Sequence, residues 1–97
     1  MKDAEINLAI AKIEYPNDSW RMTHGDGVAR VAGQDLIVKD YCNNWTDIGP
    51  IIERENMCLE CYNDGAIAYR IDGAFETRSE TPTKAAALCY LKMRESE

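Results

Sequence analysis

The stretch from Asp40 to Ile52, D-Y-C-N-N-W-T-D-I-G-P-I-I, separates two strand-like halves of the chain. It combines two aromatic residues, two adjacent asparagines and a Gly-Pro break, a density of special-purpose side chains found nowhere else in the sequence. We interpret it as the turn from a strand into a central helix over residues 45–55, with Asn43 or Asn44 as the cap and Gly49-Pro50 shaping the first turn. The rest of the fold is therefore expected to pack around this helix.

Apolar spacing predicts a further helix at each end of the chain. Residues 3–15 can begin at a capping Asp3 and end before Pro16. Their apolar side chains recur at helical spacing, with Ile6, Ala9, Ile10 and Ile13 on one face. Thr81-Pro82-Thr83 places a capping hydroxyl before a proline at the first helical position, and a last helix is expected over residues 84–95.

Between the helices, apolar and polar residues alternate with the period of a strand. The predicted strands are 19–24, 28–32 and 36–38 before the central helix, and 56–62, 66–71 and 74–78 after it. Gly25-Asp26-Gly27 and Asn63-Asp64-Gly65 are typical of tight turns. The sequence therefore predicts one α+β domain over residues 1–97, in which five to six short strands form an antiparallel sheet with three helices, in the order α-β-α-β-α.

Charge and hydropathy exclude several classes of protein. The net charge is −6, from 17 acidic against 11 basic residues, which argues against general binding to nucleic acid or anionic membranes. The acids are interspersed with bases, whereas a DNA mimic needs a sustained acidic face. No apolar run approaches the roughly 18 residues of a membrane helix, and the N-terminus does not resemble a secretory signal. We therefore expect a cytoplasmic protein.

The four cysteines raise the possibility of a zinc or redox site. Cys58 and Cys61 have the C-x-x-C spacing of zinc ligands, and Cys42 and Cys89 could complete a tetrahedral set. The sequence around Cys58 alternates as a strand does, however, and positions three apart in a strand point to opposite faces. We expect structural thiols without metal or cofactor, and keep a small zinc or redox protein as an alternative.

Catalytic signals are weak. His24 is the only histidine and precedes a glycine-rich turn, and no nucleophile elbow, phosphate loop or dinucleotide fingerprint accompanies it. We therefore expect a protein that is not an enzyme. Six aromatic residues could instead form a recognition surface, although a small domain needs most of them in its core. They are Trp20, Tyr41, Trp45, Tyr62, Tyr69 and Tyr90.

Three segments resemble a known family. With Asp40-Tyr41-Cys42-Asn43-Asn44-Trp45, followed by Asp47 and Pro50-Ile51-Ile52, the chain resembles the NinX-like proteins of tailed bacteriophages and prophages, a family of unknown function. Thr81-Pro82-Thr83-Lys84-Ala85-Ala86 is similar to that family's closing helix, and Ile6-Asn7-Leu8-Ala9-Ile10-Ala11 is similar to its opening helix. The resemblance implies a phage-encoded accessory protein in a bacterial cytoplasm, with no assigned enzymatic activity and no catalytic residues.

Together these observations predict a binding protein whose partner is a host or phage protein. The candidate binding residues are Tyr41, Asn43, Asn44, Trp45 and Asp47. The two aromatics are also expected to anchor the central helix, and the asparagines and Asp47 to form an exposed recognition edge. An inhibitor of bacterial defence, of the anti-CRISPR or anti-restriction type and acting through an acidic surface, is the alternative.

Overall fold

The predicted order of helices and strands is present in the structure, a computed structural model that describes residues 2–22, 27–31 and 34–97. The elements are α1 (Asp3–Glu14), β1 (Trp20–Met22), β2 (Ala29–Val31), β3 (Gln34–Lys39), α2 (Trp45–Arg54), β4 (Met57–Tyr62), β5 (Gly65–Arg70), β6 (Thr77–Ser79) and α3 (Pro82–Glu95). The α+β class and the order α-β-α-β-α are confirmed. His24, Gly25 and Asp26 lie outside the described residues.

Within the described residues, six strands form two antiparallel sheets of three strands each, β1-β2-β3 and β4-β5-β6, where the sequence predicts one sheet. Within each sheet consecutive strands are paired, and α2 comes between β3 and β4. In the described chain β3 and β4 are not paired, so the β4–β5 hairpin belongs to a separate sheet.

Helix α3 is the centre of the core. It contacts β4, β5 and β6 along one side and packs against α1 and α2. Ala85, Ala86 and Ala87 are fully buried, and these small side chains let the helix approach its neighbours closely. Tyr90 is the largest fully buried side chain among the residues whose burial the structure describes. No helix among the described residues is both long and apolar enough to cross a membrane.

Helix α1 begins and faces the core differently from the prediction. Its cap is Lys2, whose backbone N–H donates to the Glu5 carboxylate at 3.2 Å. Asp3, predicted as the cap, instead forms an ion pair with Lys84 of α3 at 2.9 Å. Ile13 is 40% exposed, while Asn7 is fully buried. The buried face is therefore rotated away from Ile13, because a polar side chain of α1 finds partners inside the protein.

Helices α2 and α3 have side-chain caps at their first turns. The Asn44 side chain accepts from the backbone N–H of Thr46 at 2.9 Å, as one of the two predicted caps. Thr81 caps α3, with Pro82 at its first position, as predicted. Pro50 lies inside α2 and not in its first turn, which corrects the expected position. The carbonyl that proline leaves without an N–H donor belongs to Thr46, an exposed residue that water can reach.

Candidate functional site

The predicted binding residues lie in the turn between β3 and α2, and the structure separates buried from exposed members. Tyr41 is only 2% exposed and belongs to the core. Asn43 and Asn44 are exposed and Asp47 is half-buried. Trp45 is 53% exposed, so it does not anchor α2 in the core as expected. The five residues are close together in the sequence, but only some of them are exposed and accessible to a partner.

Asn7, which the sequence reasoning missed, fixes this turn from inside the protein. Its amide nitrogen donates to the carbonyl of Gly27 and to the Asp40 carboxylate, both at 2.9 Å. Its amide oxygen accepts from the backbone N–H of Cys42 at 3.1 Å. The available signal in the sequence was a polar residue on the apolar side of a predicted helix, between Ile6 and Leu8. Buried amides in such positions are usually fully hydrogen-bonded.

Two other elements fix the same turn. The Thr83 hydroxyl of α3 donates to the carbonyl of Cys42 at 2.6 Å. Asp47 of α2 accepts from the backbone N–H of Asp40 at 2.9 Å, and it also pairs with Lys39 at 3.6 Å. The carboxylate of Asp47 therefore already has partners within the protein. Tyr41, Asn44 and Asp47 have structural roles here. Asn43, Asn44 and Trp45 are all exposed, and the Asn43 amide also donates to Asp3 and Asp40 at the surface.

A cleft of about 160 Å³ lies beside this turn, between the end of α1 and α2. Small-molecule sites usually enclose roughly 300–1,000 Å³, so the cleft is small for a metabolite. Its charged side chains are paired with each other, Lys39 with Asp47 and Arg54 with Glu14 at 2.8 Å. A ligand would have to displace these ion pairs. The cleft therefore makes a poor catalytic or cofactor site.

The cysteines are not arranged as a metal site. Cys58 pairs with Tyr69 and Cys61 with Ala66 in the β4–β5 ladder, so the two side chains point to opposite faces of β4. Cys42 and Cys89 are buried, and burial raises the pKa of the Cys42 thiol to about 12. Within residues 2–22, 27–31 and 34–97, no three His, Cys, Asp or Glu residues are grouped so that they could hold a metal ion.

The outer face of the sheet β4-β5-β6 is the candidate functional site. Ala66 and Ala68 of β5 point into the core, so the alternate positions point outward. We call this outward surface the tyrosine face, and it is formed by Cys58, Glu60, Tyr62, Ile67, Tyr69 and Arg78. Glu60, Ile67 and Arg78 form one row across the three strands. Tyr62 is 53% exposed, so the face is open to solvent.

Ile67 is the centre of the tyrosine face. It is only 8% exposed, yet it does not belong to the hydrophobic core cluster, which includes its neighbours Ala66 and Ala68. On the outer face Glu60 and Arg78 lie directly opposite Ile67 on the two neighbouring strands, and Tyr62 and Tyr69 occupy the next outward positions. An apolar centre surrounded by tyrosines is typical of binding hot spots.

Charged groups surround the two tyrosines. The Tyr62 hydroxyl donates to the Glu60 carboxylate at 3.1 Å, and this hydrogen bond raises the pKa of Tyr62. The nearby Glu60 carboxylate raises the pKa of Tyr69 as well. Glu76 and Arg78 are near enough to Tyr62 to act on its charge. The phenols therefore stay protonated at neutral pH, and the Tyr62 oxygen, whose proton is donated to Glu60, can still accept a hydrogen bond from a partner.

Comparison with known proteins adds no assignment to this face. The chain matches no protein-family model, no curated protein and no solved structure. The candidate site therefore rests on the geometry of the tyrosine face.

Proposed function

We propose that this chain is a phage or prophage accessory protein that works without catalysis, by binding a host or phage protein through the tyrosine face. The observation that carries the proposal is Ile67, an apolar side chain outside the core cluster that lies on the same sheet face as the exposed Tyr62 and the half-buried Tyr69. Tyrosine supplies large contact area at low entropic cost and is enriched at interfaces. The resemblance to NinX-like phage proteins supports the phage setting and a bacterial cytoplasm as the site of action.

Charge indicates which partner the face would accept. Arg78 is one base among four exposed acids on and beside the face, Glu60, Asp64, Glu76 and Glu80. The chain as a whole carries a net charge of −6. A partner surface with an apolar centre and a basic rim would therefore match the tyrosine face, and the charges would also speed the encounter.

The acidic rim also favours the second candidate, an inhibitor of bacterial defence. Enzymes that restrict or cleave phage DNA bind it through basic surfaces, because phosphate binding requires lysine and arginine. A rigid sheet face with acidic edges could cover such a surface. A plaque assay with a defended host tests this candidate: the gene should restore plaquing, and no rescue would count against it.

Affinity capture tests the main proposal. The immobilised chain is incubated with bacterial lysate, and captured proteins are compared between wild type and a Tyr62→Ala/Tyr69→Ala variant. Removing a hot-spot tyrosine costs about 2 kcal/mol or more, which weakens binding roughly thirtyfold. We expect a partner that the wild type captures and the double variant loses.

Trp45→Ala is the matched control, because Trp45 and Tyr62 are each 53% exposed. It should capture the same partner as the wild type. Loss of the partner with Trp45→Ala and not with the double variant would move the binding site to the turn before α2. Repeated absence of any partner, together with measured turnover of a small molecule, would overturn the proposal.

A further inference from the structure

Strand β6 has an open edge. It pairs with β5 on one side, and the described part of the chain places no strand along its other side. The carbonyl of Glu76, just before the strand, accepts a hydrogen bond from the Lys92 side chain at 3.3 Å. Open edges of this kind are templates for pairing with another chain.

The charges along this edge alternate in sign. Glu76, Arg78 and Glu80 occupy alternate positions of E-T-R-S-E, with Arg78 inside β6 and the two acids directly before and after the strand, and all three are exposed. In the described chain none of them forms an ion pair. Opposite charges directly across a strand pair are stabilising, and like charges are destabilising. The edge can therefore discriminate between pairing registers.

A groove of about 320 Å³ runs beside the same edge, between β6 and α3. Leu88 and Leu91 form its apolar part, and Thr77, Arg78, Lys92 and Glu95 line the rest. Ser79 is not among the lining residues. The apolar surface thus lies next to the Thr77 end of the strand, where a second chain that paired with β6 would also cover the leucines.

We propose that this groove and edge bind a second copy of the chain. Two β6 strands would pair antiparallel about a two-fold axis at Thr77, joining two three-stranded sheets into one of six. In this register the pairing extends β6 by one residue, so that Glu76 lies opposite Arg78 of the second copy, and the pair occurs twice by symmetry. The two tyrosine faces become one continuous surface.

Charge and the groove select this register over its neighbours. An axis at Arg78 would place Arg78 opposite its own copy and Glu76 opposite Glu80, so every facing pair of charged side chains would repel. An axis at Ser79 would pair Arg78 with Glu80 but would shift the contact away from the groove, which begins at Thr77. The axis at Thr77 both places opposite charges across from each other and covers the apolar groove.

Sedimentation velocity across a wide concentration range tests this dimer with purified protein. Wild type should sediment as a dimer at high concentration. Glu76→Arg and Arg78→Glu should each sediment as monomers, because each places like charges opposite one another. The double variant Glu76→Arg/Arg78→Glu has the wild-type net charge and restores the opposite pairs, so its dimer should return. Far-UV circular dichroism checks that every variant is folded.

Lys12→Glu controls for net charge, since it makes the same change as Arg78→Glu at an exposed position of α1. It should remain dimeric. A monomeric wild type at all concentrations, dimeric single variants, or a folded double variant that stays monomeric would each overturn the proposal. The assay contains no partner protein, and Tyr62→Ala/Tyr69→Ala should leave the dimer intact. Failure of the dimer is thus distinguishable from failure of the proposed partner binding.

Discussion

Asn7 joins helix α1 to the turn that follows β3 through three hydrogen bonds, with Gly27, Asp40 and Cys42. The variant Asn7→Ala removes all three and leaves the buried backbone N–H of Cys42 without its partner. An unsatisfied buried donor costs about 1–3 kcal/mol, and the space left by the side chain adds to that loss. We expect the free energy of unfolding to fall by about 2–3 kcal/mol, measured by urea denaturation.

Asn43→Ala is the matched control for this prediction. Asn43 is exposed, and its amide bonds Asp3 and Asp40 at the surface at 3.2 Å. Its replacement should change stability by less than about 0.5 kcal/mol. If both variants lose the same stability, the turn is fixed by surface contacts and the role assigned to Asn7 is wrong.

The two asparagines show what single residues reveal before a structure is known. Asn44 precedes a helical pattern, and its capping role depends on Thr46, two residues away, so the sequence could predict it. The partners of Asn7 are 20 to 35 residues away. Local patterns contain no information on such distant partners, so the buried position of this amide became visible only in three dimensions.

At the scale of elements, two glycines differ in whether their position has room for a side chain. Gly49 lies in α2, and an added Cβ would meet nothing within 4 Å. Gly65 begins β5 with φ +151°, and an added Cβ would lie 2.6 Å from the carbonyl oxygen of Ser79 in β6. Gly49→Ala should therefore stabilise the protein by about 0.5–1 kcal/mol, and Gly65→Ala should destabilise it by about 1–3 kcal/mol.

Thermal unfolding of the two variants beside wild type measures this difference. The substitution is chemically identical, so each variant is the control for the other. A lower unfolding temperature for Gly49→Ala would mean that α2 needs a flexible residue next to Pro50. An unchanged temperature for Gly65→Ala would mean that β6 can move away from β5 at little cost.

Elements with strong end signals were predictable, and the arrangement of the sheets was not. Thr81-Pro82 predicted the start of α3, and Asn63-Asp64-Gly65 predicted the β4–β5 hairpin. The outward direction of Ile67 could not be read from β5, where it looks like a core residue between two alanines. Those alanines point inward because α3 packs closely against them. The tyrosine face thus follows from a helix–sheet contact that no local pattern encodes.

At the scale of the whole molecule, one polar network connects all three helices. Arg54 of α2 donates two hydrogen bonds of 2.8 Å to the Glu14 carboxylate at the end of α1. The hydroxyl of the buried Tyr90 in α3 donates to the same carboxylate. Arg54 and then Tyr90 lower the pKa of Glu14 below its ordinary value of 4.5, and burial only partly opposes them. The carboxylate is therefore more acidic in the folded chain than in the unfolded one.

Because the pKa of Glu14 is lower in the folded chain than in the unfolded chain, the stability of the protein depends on pH. The contribution of Glu14 is fully present above its ordinary value of 4.5 and is lost as the pH falls through the lower folded value. Glu14→Gln should cost about 1–2 kcal/mol at neutral pH, since Arg54 is half-exposed and solvent weakens the pair. Below pH 4.5 the stabilities of wild type and variant should converge. Urea denaturation at a series of pH values measures both curves.

The partner substitution shows whether this pH dependence belongs to the network. Arg54→Gln should reproduce most of the loss at neutral pH, and Glu14→Gln/Arg54→Gln should lose less than the sum of the two single variants, because the groups interact directly. Strict additivity would mean that Glu14 is stabilised by something other than Arg54. Parallel pH curves for wild type and Glu14→Gln would mean that other carboxylates control acid unfolding. Convergence with non-additivity would show that this carboxylate couples the three helices.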